Sequence, residues 1–261
     1  MSKKRLADDN QRLGSVTLYE VIAKDGREEL ARTNFSLACS AIAAGFCICF
    51  SLLGEAYLKM RLSHMPHSYL IENIGYTFGF LIVVLGRLQL FTENTITVIL
   101  PLFENFNRWN FTKTLKLWMV VFLFNMVGTF IVAYLLIHGG LASGVELQSM
   151  IEISKHAVIH DFQDLFIRGI PAGFLIASLV WLVAGNKTAA FPIIFFTTYL
   201  IAIGDYTHVV AGSAEAFLLI LNGDISIMKG ISYIVAAGLG NIVGGTGLFA
   251  ILAYGQVKDE I

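Results

Sequence analysis

The stretch LGRLQLFTENTITVILPLF, Leu85 to Phe103, lies inside a long apolar run yet carries Arg87, Gln89, Thr92, Glu93 and Asn94 almost side by side. A later apolar run is interrupted in the same way by Gly204-Asp205-Tyr206-Thr207-His208, continuing through Gly212-Ser213. As one helix, Ile74 to Phe103 would rise about 45 Å against a hydrocarbon core of about 30 Å, and the later run is longer still. Irregular backbone at membrane depth is tolerated only where it is buried in protein or lines a cavity, because unpaired N–H and C=O groups are costly in hydrocarbon. Two broken helices therefore fit better than two tilted ones, with the polar clusters lining a pathway. The second half of each would start inside the membrane, capped by Thr92 or Asn94 in one case and by Ser213 in the other. Both would aim the positive ends of their dipoles at the protein centre.

Composition agrees with that setting. The chain has 261 residues, 56 % hydrophobic and 14 % charged, with a mean hydropathy of +0.70, which reads as an integral, all-α membrane protein. A net charge of -1 favours neither nucleic acid nor an acidic partner. The segment before Asn34 is rich in Lys and Arg and has no apolar core, so no cleavable signal is expected and the N-terminus should stay cytoplasmic. Apolar segments fall at about Asn34–Leu58, Ile74–Phe103, Leu117–His138, Phe162–Ala184, Ala190–Leu221 and Gly230–Tyr254. Six spans put both termini on one side, and the Lys and Arg of the loops are concentrated on that side, as the positive-inside rule requires. Residues 1–33 form a cytoplasmic segment in which Thr17-Leu18-Tyr19-Glu20 reads as a capping box opening an amphipathic helix. Residues 34–254 form the transmembrane domain, and residues 255–261 a cytoplasmic tail. Cys39, Cys47 and Cys49 all fall in the first apolar segment, where they read as packing residues without disulfides.

The two interruptions are related. Thr92 precedes Asn125 by the same interval as His208 precedes Asn241, and both asparagines sit in the pattern Asn-x-Val-Gly. The first and fourth segments share Ala44-Gly45-Phe46 and Ala172-Gly173-Phe174. Three spans per half is an odd number, so the halves run in opposite directions: a 3+3 inverted repeat, with a site expected near the midplane where the broken helices meet.

These residues resemble the formate/nitrite transporter family: a broken second helix with Leu90-Phe91-Thr92, a broken fifth with His208, and Gly240-Asn241-Ile242-Val243-Gly244-Gly245 in the sixth. The resemblance implies an aquaporin-like protomer, a homopentamer in a bacterial inner membrane with one pathway per protomer, no cofactor or catalytic metal, and passage of small monovalent anions or their acids, such as formate or nitrite. It also implies that Leu90 and Phe91 form the inner constriction, and that Thr92 bonds the substrate or His208.

His208 is the first candidate, because an ionisable group at mid-membrane is costly and its imidazole trades a proton near neutral pH. Thr92 should face it by repeat symmetry, though a threonine beside a helix start is also an ordinary cap. Asn125 and Asn241 either contact the substrate or satisfy backbone groups that the breaks leave open. Tyr76, Phe80 and Ile201 are candidates for an outer constriction that excludes hydrated ions. Lys155 could guide anions into the outer vestibule, as a lysine near this place does in the family, with the register left open by the adjacent His156, or be a solvated loop residue. His156 and His160, with Asp161 and Asp164 nearby, lack a clear fourth metal ligand.

The chain departs from the family pattern where Arg87-Leu88-Gln89 precedes Leu90, where Glu93 follows Thr92, and where Glu215 follows Ser213. Gly173 stands where an asparagine is expected. Glu93 and Glu215 read as matching first-turn residues of the two short helices, and Arg87 could pair with Glu93. Unpaired, either carboxylate would repel anions. The chain thus resembles a divergent, YfdC-type branch. The principal reading is a channel or proton-coupled carrier for a small monovalent anion; the alternative keeps the fold and passes a monovalent cation or small neutral solute. An intramembrane enzyme lacks a nucleophile or cofactor motif.

Overall fold

The computed structural model describes residues 13–142 and 144–261; Lys3, Lys4, Arg5 and Arg12 of the expected N-terminal segment lie outside the described residues. Among the described residues all regular structure is helical. The chain runs α1 Ser15–Leu30, α2 Asn34–Ile48, α3 Phe50–Leu62, α4 Ser68–Glu72, α5 Tyr76–Leu85, α6 Asn94–Thr97, α7 Ile99–Glu104 and α8 Arg108–His138. It continues with α9 Gly144–Val158, α10 Phe162–Gly185, α11 Ala190–Ile203, α12 Val209–Asn222, α13 Ile227–Ile242, a π-helical stretch Val243–Ala250 and α14 Ile251–Val257. Five stretches are long and apolar enough to cross a membrane: Asn34–Leu62, Ser68–Leu85, Arg108–His138, Phe162–Gly185 and Ile227–Val257. The pieces Asn94–Glu104, Lys187–Ile203 and Val209–Asn222 are apolar but shorter.

Side-chain caps set several boundaries. Thr33 accepts from Ser36 N at 3.2 Å before α2, Asp161 from Asp164 N at 2.9 Å before α10, and Ser226 from Lys229 N at 3.2 Å before α13. Asn107 accepts from Asn110 N at 2.9 Å, so α8 starts well before its apolar run at Leu117. The Thr17 capping box does not form. Gly14 is the N-cap of α1, without a side-chain bond, and Thr17 lies inside the helix. The last helix passes Tyr254 and ends at Val257. Cys39, Cys47 and Cys49 carry free thiols.

Glycines allow two helix crossings to close. A Cβ on Gly45 would stand 2.5 Å from Asn125 O and 2.8 Å from Gly128 Cα, and one on Gly173 would stand 2.1 Å from Asn241 O. Backbone lies against backbone at both places, α2 on α8 and α10 on α13, and position 173 has no room for the asparagine expected there. Helix α1 lies across one face. Tyr19 donates to Leu100 O at 2.9 Å, Arg27 pairs with Glu104 at 2.5 Å, and Ile22 and Ala23 are buried with Ile96 and Leu100. We call this the N-terminal face and the opposite one the far face.

Both breaks are built the same way. Helix α5 ends at Gly86 with Arg87 at φ +52°, and α11 ends at Gly204 with Asp205 at φ +51°. In the first, Arg87 N bonds Val84 O at 3.1 Å and Leu88 N bonds Val83 O at 3.0 Å; in the second, Asp205 N bonds Ala202 O at 3.0 Å and Tyr206 N bonds Ile201 O at 3.0 Å. These are paired Schellman closures, with an arginine and an aspartate in the left-handed position that usually takes glycine. Extended residues follow in each, Leu88-Gln89-Leu90 and Tyr206-Thr207-His208.

Candidate functional site

The asparagines hold these extended residues. Asn125 Oδ1 accepts from Phe91 N at 2.9 Å, while its Nδ2 donates to Gln89 O and Ala41 O, each at 2.8 Å. Asn241 Oδ1 accepts from Val209 N at 2.9 Å, while its Nδ2 donates to Thr207 O and Gly169 O, each at 2.8 Å. Each amide thus clasps the backbone on both sides of one residue, Leu90 in the first break and His208 in the second. Both side chains are fully buried and both N–H groups are used. They serve the backbone, the second of the two roles expected for them, and both N–H donors of each amide are taken. The clasps also correct the register of the repeat: the counterpart of His208 is Leu90, two residues before Thr92.

Thr92 nevertheless meets His208, with Oγ1 2.7 Å from Nε2. His208 is itself the N-cap of α12, its Nδ1 accepting from Ala211 N at 3.2 Å. That bond assigns the tautomer: Nδ1 carries no proton, so in the neutral ring Nε2–H donates to Thr92 Oγ1. The threonine hydroxyl proton then has no partner among the described residues. Ser213 is not the cap; it sits a turn inside α12, bonded to Val210 O at 2.7 Å and Thr129 Oγ1 at 2.9 Å. Neither Thr92 nor Asn94 caps α6 through its side chain. Asn94 Nδ2 donates to Gln89 Oε1 at 3.0 Å, and Thr92 O accepts from Thr95 Oγ1 at 2.7 Å.

Two cavities approach this pair from opposite faces and share no lining residue. The far-face cavity, about 320 Å³, reaches His208 past Tyr76, Ile201, Glu55 and Glu215. Phe80 is completely buried and its ring stands edge-on to His208 with centroids 4.9 Å apart, next to Tyr76 at 5.2 Å. The N-terminal-face cavity, about 270 Å³, is lined by α1, Gln89, Leu90, Glu93 and Lys187. Leu90 closes its floor, whereas Phe91 turns away and packs against Phe122 and Trp118 with centroids 5.0 and 5.7 Å apart. The expected constriction pair is therefore split.

The charged candidates are arranged differently from expectation. Arg87 reaches Asp25 of α1 at 3.6 Å and makes no pair with Glu93, whose buried Oε1 has no hydrogen-bond partner. Glu93 lies at the boundary of α6 facing the N-terminal side, while Glu215 lies in the second turn of α12 facing the far side, so they are not matching residues. Lys155 pairs with Asp224 at 2.6 Å, whose carboxyl that hydrogen bond holds below the ordinary range. The mouth of the far-face cavity is instead lined by Lys59, His156, His160 and Arg168. Burial pushes His160 below its usual value. No group of three potential metal ligands occurs among the described residues.

Sequence reading missed Glu55, although it is the only acidic residue between Asn34 and Leu62, a signal as plain as His208. It also missed Tyr233, which only tertiary packing brings to the cavity.

Comparison with known proteins agrees with this geometry. The chain is 36 % identical over 261 residues to the inner membrane protein YfdC of Escherichia coli (strain K12), covering 99 % of this chain and 84 % of the relative. It is 27 % identical over 219 residues to the formate channel FocA of Haemophilus influenzae, covering 79 % of this chain and 76 % of that protein. Among solved structures, a pentameric formate channel with formate bound superposes with a TM-score of 0.72 at 18 % identity, covering 87 % of this chain and 98 % of that one. An FNT family ion channel superposes with a TM-score of 0.79 at 16 % identity, covering 92 % and 99 %. The family model described as formate/nitrite transporter matches residues 16–255, and the chain belongs to that family.

Proposed function

We propose that this protein is a channel or carrier for small monovalent anions, or their conjugate weak acids, with formate and nitrite the first candidates. The pathway would run through each protomer of a homopentamer in a bacterial inner membrane, within a six-span domain of residues 34–254 and with both termini cytoplasmic. The observation that carries this reading is the 2.7 Å contact between Thr92 and His208, set between two cavities that open to opposite faces. The free hydroxyl proton of Thr92, its oxygen held by the imidazole N–H, can replace part of a small anion's hydration shell. The apolar side chains of Leu90, Ile201 and Phe80 and the ring of Tyr76 around them penalise any solute that arrives charged. Basic side chains at the far mouth would concentrate anions there.

One observation favours a second reading with reversed selectivity. Three carboxylates, Glu55, Glu93 and Glu215, line the cavities without an ion pair among the described residues, and a cation would meet acidic groups on both sides. The reversal potential of the purified protein in planar bilayers under a potassium formate gradient decides between them, with His208→Ala as control. An anion-selective sign that changes in the variant supports the principal reading. A cation-selective sign overturns it.

A further inference from the structure

The acidic groups of the far-face cavity divide into two sets by depth. At the mouth two have partners: Glu152 pairs with Lys59 at 3.1 Å, and Asp205 meets His156 at 3.3 Å and Tyr69 OH at 3.1 Å. Arg168 donates to Asp205 O at 3.4 Å. Glu72 and His160 stand on the same rim. Deeper in, Glu55 of α3 and Glu215 of α12 are only 8 % and 7 % exposed, and neither makes a hydrogen bond or ion pair among the described residues. The other titratable groups that face them are the phenols of Tyr76 and Tyr233, also buried and without a hydroxyl partner among the described residues, His208 beyond, and, toward the mouth from Glu55, Glu72, Asp205 and Lys59. Tyr233 OH lies so near the Gly212 backbone that a Cβ there would stand 1.8 Å from it, which fixes the phenol beside α12 one turn from Glu215.

Two nearly buried carboxylates without an ion pair in one cavity is a costly arrangement unless something positive resides between them. With protons in place it becomes a set of O–H groups, two carboxyl and two phenolic, all lining one cavity. Such a set suits an oxyanion, which accepts hydrogen bonds and needs a proton before it can cross the apolar residues beside His208. We infer that Glu55 and Glu215 form a proton-holding carboxyl pair that receives the weak-acid anion in the far-face cavity and transfers a proton to it. This inference rests on the anion reading above and names the residues that would supply the proton.

The transfer balances simply. The O–H bond of one carboxyl breaks, its electron pair stays on the glutamate oxygen, and a new O–H bond forms on the anion. The neutral acid then passes Phe80 and Ile201, and the glutamate is reprotonated by hydronium from the solution at the mouth, so one external proton moves with each anion. The partner carboxyl, still protonated, adds no second negative charge to the cavity, which limits the cost of the new carboxylate. The substrate class that follows is anions of weak acids, and anions of strong acids should not be carried by this route.

The test uses the full chain in liposomes loaded with a pH-sensitive dye, with labelled formate added outside, so that formate and proton uptake are counted together. The wild type is expected to take up one proton with each formate, faster at lower external pH. E55Q/E215Q keeps volume and N–H donors but has no proton to release. It should lose about a hundredfold in proton-linked uptake, the scale of general acid catalysis, and E55D/E215D should restore much of it. A double variant with the wild-type rate, pH profile and proton count would overturn the inference. So would calorimetry showing that the wild type binds potassium at this site and the double variant does not. If the wild type moves neither formate nor nitrite above empty liposomes, the anion reading itself fails and takes this inference with it. A readout independent of transport is the infrared carbonyl band of protonated carboxyl groups at neutral pH. The wild type should show a component that E55Q and E215Q each diminish, and its absence in the wild type would overturn the inference even if the variants fold poorly.

Discussion

Thr92 Oγ1 lies 2.7 Å from Nε2 of His208, while Nδ1 of the same ring holds the first turn of α12 through Ala211 N at 3.2 Å. The imidazole is thus a structural cap on one edge and a donor on the other. A proton cannot be added at Nδ1 without breaking the cap, so the free hydroxyl proton of Thr92 is the group left to meet a solute.

Thr92→Val removes that hydroxyl at nearly constant volume and leaves a buried Nε2–H without an acceptor. The expected cost is about 1 to 3 kcal/mol of stability, seen as a lowered melting temperature, together with loss of flux. Thr92→Ser should retain both, and equal melting of the valine variant and wild type would remove the contact from the account.

Each asparagine clasp joins three helices' worth of backbone through one side chain. Asn125→Asp and Asn241→Asp keep the shape but turn two N–H donors into an oxygen facing two carbonyl oxygens. Both should destabilise by about 3 kcal/mol or more and to a similar extent, because the clasps match. Melting curves of the two variants, in detergent and at one lipid ratio, make the comparison. A silent variant at either position would break the equivalence of the halves.

Arg87 adopts φ +52° with an exposed side chain whose only ion pair, to Asp25 among the described residues, is itself exposed. Arg87→Gly removes the strain of a non-glycine residue in the left-handed region, about 1 kcal/mol, and forfeits a pair worth less. The variant is expected to melt higher than wild type. A lower melting temperature would mean that the guanidinium holds α1 in place.

Asp224 is held below the ordinary carboxylate range, first by the hydrogen bond from Lys155 and then by that from Asn222. A depressed carboxylate adds stability above its unfolded value and loses it as pH falls through its folded value. Wild type and Lys155→Ala should therefore differ by about 1 kcal/mol at most near neutral pH, the pair being partly exposed, and converge in acid below the usual carboxylate range. A difference that persists there would point to packing by the lysine stem.

The membrane setting, the two breaks and the kinship of the halves could be read from the chain because they rest on local facts: apolar run length, polar residues within it, and a repeated Asn-x-Val-Gly. His208 stood out for the same reason, as an ionisable group in an apolar run. Capping was not legible. The Thr17 box, Ser213 and Asn94 have suitable residue types, but His208 and Gly14 occupy the cap positions, since a cap depends on where the preceding chain stops and not on the side chain alone. The partners of charges were equally hidden. Arg87 is six residues from Glu93 in sequence and pairs with Asp25, some sixty residues earlier, because α1 folds back across the break. Lys155, chosen for its place before the fourth span, is taken by Asp224, and the cavity mouth falls to other basic side chains. Sequence alone determined which segments are apolar enough for a membrane and where they must break, since the cost of burying backbone and charge is set residue by residue. Tertiary structure alone decided that Glu55, Glu215, Tyr76 and Tyr233 share one cavity and that Leu90 corresponds to His208, since those relations are made by helices that meet only when the chain is folded.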